Sequence, residues 1–104
     1  MAKYLLVYRG GSMPESPEAQ AQVMAAWTAW FGQLGSALAD GGNPTSQGKT
    51  INPDGSVTGD GRPSVSGYSI ISADGLDAAI RLAKGCPVLQ GGASIEVCET
   101  LDVM

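Results

Sequence analysis

Histidine is missing altogether from this 104-residue sequence, and cysteine occurs only twice. Without histidine the chain lacks both the usual carrier of protons at neutral pH and the commonest metal ligand. Cys86 and Cys98 alone cannot assemble a structural zinc site, so no metal is expected. Their spacing offers neither a CxxC pair nor a multi-bridge framework. Free thiols in a reducing compartment are expected, with a single 86–98 disulfide as the alternative.

Basic residues are also scarce. Six are scattered at Lys3, Arg9, Lys49, Arg62, Arg81 and Lys84, against ten acidic ones, for a net charge of −4. Nucleic acid binding needs clustered Lys or Arg, so that class of partner is excluded. Long apolar runs are missing too. The N-terminal run, Tyr4 to Tyr8, is shorter than the roughly 7–15 residues of a signal peptide core or the about 20 of a membrane span. Neither export nor membrane anchoring is expected, and a cytoplasmic location is the default. Charged residues make up only 15% and apolar ones 43%. So thinly charged a surface suggests that part of it is covered by another subunit.

What is present reads as one domain over residues 1–104. Lys3-Tyr-Leu-Leu-Val-Tyr-Arg9 has the β-branched and aromatic character of a strand, and Gly10-Gly11 closes it. Its faces, Tyr4, Leu6, Tyr8 and Leu5, Val7, Arg9, are both largely apolar, so both sides should be covered. Ser16-Pro17-Glu18 is a helix start, with Ser as N-cap and Pro at the first helical position. The helix is expected to run to about Asp40 and to stop at Gly41-Gly42. Val23, Trp27, Trp30, Leu34 and Leu38 form its apolar stripe, widened by Met24 and Phe31.

Residues 43–66 are rich in turn formers. Gln47 to Ile51 and Val57-Thr58 are short strands around the turn Asn52-Pro-Asp-Gly55, with Gly59 to Pro63 as loop. Gly67 to Ser72 is a second clear strand. Asp74 is expected to cap the next helix, with Asp77 in its first turn and Leu76, Ala79, Ile80 and Ala83 as its apolar stripe. Ala93 to Thr100 alternates Ile95 and Val97 against Ser94, Glu96 and Cys98, which makes it the last strand. This order is the α+β, ferredoxin-like split βαβ arrangement on an antiparallel sheet. Two helices cover one sheet face, and the bare face calls for a homodimer.

The opening Lys3-Tyr-Leu-Leu-Val-Tyr, the helix with Met24, Trp27, Trp30 and Leu34, the segment Gly67-Tyr-Ser-Ile-Ile with Leu76-Asp-Ala-Ala after it, and the closing Gly91-Gly92-Ala-Ser-Ile-Glu-Val together resemble the YCII-related, or DGPF-domain, family. The resemblance implies a subunit of a dimeric α+β barrel. It also implies a small-molecule-binding or accessory role, with an enzyme as the alternative by analogy to muconolactone-isomerase-like proteins and small oxygenases of related architecture. Two departures bear on function. The family's first-helix histidine corresponds to Trp27 here, and the DGPF loop is reduced at best to Asp60-Gly-Arg-Pro63. The family's acid–base pair therefore does not carry over.

Three readings of function remain. In the first, Trp27, Trp30 and Tyr68 line an apolar pocket between helix and sheet for a small apolar or aromatic ligand; ordinary core packing is the competing reading of both tryptophans. In the second, a cofactor-free lyase, isomerase or monooxygenase uses Glu96, Lys49 and Tyr68 for proton transfer. That requires Glu96 to be partly buried rather than an exposed salt-bridge partner. The third is a structural interaction module. Cys86 stands at a helix C-terminus, where the dipole disfavours a thiolate. The paired glycines lack the strand–GxGxxG–helix context of a nucleotide loop, and no cofactor is expected.

Overall fold

The computed structural model describes residues 1–11, 14–62 and 64–103; the expected loop residue Pro63 lies outside them. Four strands, β1 (Ala2–Gly10), β2 (Leu38–Asp40), β5 (Val65–Ala73) and β6 (Ala93–Glu99), form one antiparallel sheet in the order β2-β5-β1-β6. Helix α1 (Pro17–Leu34) connects β1 to β2, and α2 (Leu76–Ala83) connects β5 to β6. Two strand–helix–strand units interleaved in this order make the ferredoxin-like α+β fold.

Alternation along the strands assigns the faces. Tyr4, Leu6, Tyr8, Ser69, Ile71 and Ala73 are buried, and they form one core with Trp30 and Leu34 of α1 and Ala79 and Ala83 of α2. Ile95 and Val97 of β6 pack against the same core, on the side that their alternation anticipates. Their neighbours in sequence point to the opposite face of the sheet.

Helix α1 begins as expected. Ser16 Oγ accepts the Ala19 N–H at 3.1 Å, Pro17 opens the first turn, and Glu18 meets the positive end of the dipole. It ends six residues before the expected Asp40. Gly35 adopts a φ of +53°, which the helical path forbids, and a short 3-10 turn (Gly35–Ala37) follows. Leu38 to Asp40 then pair with β5 through a bulge, Leu38 opposite Ile71 and Asp40 opposite Ile70. Leu38 is thus a strand residue. Val23 and Met24, expected on the buried stripe, are largely exposed.

The second correction concerns α2, whose N-cap is Gly75 with no side-chain hydrogen bond rather than Asp74. Asp77 does lie in its first turn and Arg81 in its last, each suited to the helix dipole. The third concerns residues 48–61. They form the expected hairpin, β3 (Gly48–Ile51) with β4 (Val57–Gly61), but as a separate two-stranded sheet. Asn52 to Ser56 close its turn, where the Asp54 carboxylate accepts the N–H and hydroxyl of Ser56 at 2.9 and 2.6 Å. Those bonds hold the Asp54 carboxyl below its usual range.

The result is a plate. Its extents are 43 × 42 × 18 Å and its radius of gyration is 15.1 Å, against about 13 Å for a compact chain of this length. Both cysteines are free thiols. Among the described residues no helix is long and apolar enough to cross a membrane.

Candidate functional site

The covered face of the sheet is filled. Trp30 is 3% exposed, and its indole N–H donates to the Leu82 carbonyl at 3.1 Å. Half-buried Trp27 stands edge-on to Tyr8 and Trp30, each with ring centroids 5.7 Å away, and leans on Phe31 at 5.6 Å. This aromatic cluster closes the space between α1 and the sheet. Beneath it Tyr8 Oη donates to Ser69 Oγ, and burial pushes the Tyr8 phenol far up from its ordinary value. The Cys86 thiol beside it is raised as well, first by burial.

Tyr68 is not part of that cluster. It sits opposite Val7 in the β1–β5 register, on the other side of the sheet from Tyr8 and Ser69. The structure therefore does not bring Tyr68 together with Trp27 and Trp30. A strand turns successive side chains to opposite faces, and residue 69 is the one that points at the helices.

The uncovered face is ordered in cross-strand rows. One row reads Ile70, Leu5, Cys98, and the next reads Tyr68, Val7, Glu96. Beyond them Arg9 stands between Val65 and Ser94. All of the apolar members are partly exposed. Tyr68 and Glu96 flank Val7 from neighbouring strands, which places them roughly 10 Å apart at ordinary strand spacing. The Glu96 carboxylate accepts from the Arg9 guanidinium at 3.0 Å, and the two side chains are 57% and 44% exposed. The partial burial required of Glu96 as a base is absent from the single subunit. The salt-bridge reading describes it.

Lys49, the third candidate for proton transfer, lies on the hairpin instead. It lines a cleft of about 320 Å³ at the hairpin's root, together with Thr50, Arg62, Ser64 and Val65. Arg9 reaches the rim, donating to Ser64 Oγ at 3.3 Å. A smaller hollow of about 140 Å³ lies between α2 and β6 and is lined mainly by Ile80, Leu89, Ile95 and Val97. Ligand pockets run from about 300 Å³ upward, so of these two the cleft is the one with room for more than a few atoms. Neither is lined by Trp27, Trp30 or Tyr68.

Arg62 and Ser64 escaped sequence reasoning. Arg62 is thirteen positions from Lys49, and only the bulged hairpin register brings the two to one cleft. The signal that could have found them is the folding back of the segment about Asn52-Pro-Asp-Gly55, which sets Gly48 opposite Gly61.

No family model matches the chain, and no curated protein matches it in sequence. Among solved structures it is similar to the 5-chloro-2-hydroxyhydroquinone dehydrochlorinase of Burkholderia phenoliruptrix, solved in complex with 2,5-dihydroxybenzoquinone. The two are 22% identical over 89% of this chain and 90% of that one, with a TM-score of 0.49.

Proposed function

We propose that the chain works as a homodimer that binds a small apolar or aromatic molecule between the uncovered sheet faces of its two subunits. One observation carries this reading. The single chain exposes 7249 Å², about a third more than the roughly 5,500 Å² expected of a compact monomer of its mass. The face that no helix covers carries the apolar row residues Leu5, Val7, Tyr68 and Ile70, all of them partly exposed. The excess exceeds the roughly 800 Å² that each partner of a standard interface buries. A two-fold axis through this face would bury both copies at once.

In such a dimer Tyr68 supplies a hydroxyl to an otherwise apolar chamber, and the Arg9–Glu96 pair stands at its mouth. The resemblance of the strands to the YCII-related family supports the same assembly. Proton transfer is the second reading, because Tyr68 and Glu96 share a row and the dimer would remove both from water. Trp27 and Trp30 are structural here, and the ligand contacts pass to the opposite face.

Sedimentation of the full chain at micromolar concentration tests the assembly. About twice the 10.6 kDa chain mass is expected, and Val7→Asp, which alters only the uncovered face, is expected to sediment as a folded monomer. A wild-type monomer overturns the proposal. Melting shifts with a panel of hydroxylated aromatic and lactone compounds, lost in Tyr68→Ala, test the ligand class. Turnover of any bound compound, abolished in Glu96→Gln with binding intact, would decide for the second reading.

A further inference from the structure

We infer that the cleft at the root of the β3–β4 hairpin is a binding site for a small organic oxyanion, a carboxylate or a phosphate ester, gripped by Lys49 and Arg62. The site adjoins the end of the uncovered sheet face at Arg9 and Val65, but the inference does not depend on the dimer.

The argument begins with charge. In a chain of net charge −4 with six basic residues, two of the six line one cleft and a third, Arg9, reaches its rim. Arg9 is already neutralised by Glu96. Among the described residues neither the Lys49 ammonium nor the Arg62 guanidinium has an ion-pair or hydrogen-bond partner. The nearest acid in sequence, Asp60, spends one carboxylate oxygen on the Arg62 backbone N–H at 2.9 Å, which closes a local turn. Two unpaired cationic residues on the lining of one hollow repel each other where their charges approach, and an anion between them would turn that repulsion into attraction.

The shape agrees. Gly48 and Gly59 contribute no side chains, which leaves the cleft its volume of about 320 Å³. Where Lys49 enters, β4 carries two residues, Gly59 and Asp60, against one on β3. Such a bulge bends its strand and re-aims the neighbouring side chains. Thr50 and Ser64 also line the cleft. A guanidinium fork fits two oxygens of a carboxylate or phosphate at once, and a lysine adds a point charge. Two cations neutralise too few phosphates for a nucleic acid, so the ligand is a small molecule.

Amide chemical shifts of the 15N-labelled full chain provide the test, with inorganic phosphate and succinate as probes and sodium chloride at matched ionic strength as control. Saturable shifts confined to residues 48–50, 59–62 and 64 are expected with at least one probe, and which probe saturates distinguishes phosphate from carboxylate. Arg62→Gln and Lys49→Gln, both at exposed positions, are each expected to weaken the binding about tenfold or more while the rest of the spectrum stays unchanged. Shifts that sodium chloride reproduces, or that persist unchanged in the double variant, overturn the inference. Val7→Asp should leave the binding intact, so that failure of the dimer and failure of this site give different results.

Discussion

Tyr8 Oη donates to Ser69 Oγ at 2.8 Å on the covered face of the sheet, and Ser69 Oγ donates onward to the Gly41 carbonyl at 2.8 Å. This short chain of bonds ties the central strand through β5 to the segment that follows β2. Ser69 is fully buried, and its hydroxyl is the shared link. Its loss takes the donor from the partly buried Gly41 carbonyl and leaves the Tyr8 hydroxyl only the Cys86 thiol beside it.

Ser69→Ala is therefore expected to destabilise the chain by about 2 kcal/mol, and Tyr8→Phe by about 1 kcal/mol, because leaving a buried polar group unpaired costs more than losing one end of a bond. Urea unfolding of both variants gives the comparison. A larger loss in Tyr8→Phe than in Ser69→Ala would mean that the link to Gly41 contributes nothing.

The same tyrosine sets an alkaline limit. Burial raises its phenol well above the ordinary 10.0. The folded chain thus keeps this proton at pH values where the unfolded chain releases it. The resulting stability is complete below about pH 10 and drains as the pH rises beyond that. Tyr4, raised by burial and then by the Glu99 charge, acts in the same direction. So do Cys86 and Cys98, from an ordinary value of 9.0. Urea midpoints measured from pH 8 to 12 should fall less steeply for Tyr8→Phe than for wild type. Parallel curves would show that the phenol titrates alike in both states.

Much of the fold is legible in the sequence because β1, β5 and β6 are distinct β-branched and aromatic runs bounded by turn formers; of the apolar stripe expected on α2, Ala79 and Ala83 are buried while Leu76 and Ile80 are exposed. The failures share a cause. Leu38 lies four residues beyond Leu34, so a period-matching argument extends α1 through it. The chain instead leaves the helix at Gly35, whose φ no side-chain-bearing residue readily adopts. That error hid the edge strand β2 and gave its place to the hairpin. The candidate site suffered differently. Periodicity put Trp27 and Trp30 on the inward stripe correctly, but it cannot say whether an inward tryptophan fills a core or walls a cavity. In sequence Lys49 stands out only as a proton-transfer partner of Glu96 and Tyr68 and Arg62 only as one of the scattered basic residues, since their meeting depends on a hairpin register that a bulge shifts.

Gly42 is the position where backbone closeness decides most. Its φ is +73°, and a Cβ there would overlap the carbonyl of Tyr68. The overlap is with backbone, so no rotamer change relieves it. Gly42→Ala is expected to cost about 3 kcal/mol or more and to detach β2 from β5. Gly55→Ala makes the control: its φ is also positive, at +89°, but a Cβ there meets open space. About 1–2 kcal/mol is expected there, from the backbone conformation alone. Equal losses in thermal or urea unfolding would remove the steric argument.

The two thiols report on the uncovered face. Cys86 is 2% exposed in the core, whereas Cys98 is half-buried and stands opposite Leu5 in the row that the proposed dimer would cover. Burial raises the Cys98 thiol, the Glu96 charge adds to that, and Arg9 opposes it. In a dimer, iodoacetamide at pH 8 should label Cys98 slowly and Cys86 scarcely at all. Val7→Asp opens the face, and Cys98 should then react about tenfold faster while Cys86 remains protected. The new carboxylate lies diagonally across from Cys98 and can only raise that thiol further, which slows its reaction. A faster rate in the variant therefore arises from uncovering the face, which opens access and relieves the burial that raises the thiol, and not from the new carboxylate. Equal labelling of Cys98 in wild type and Val7→Asp would mean that nothing covers this face in solution, and the chamber proposed between two subunits would have no walls.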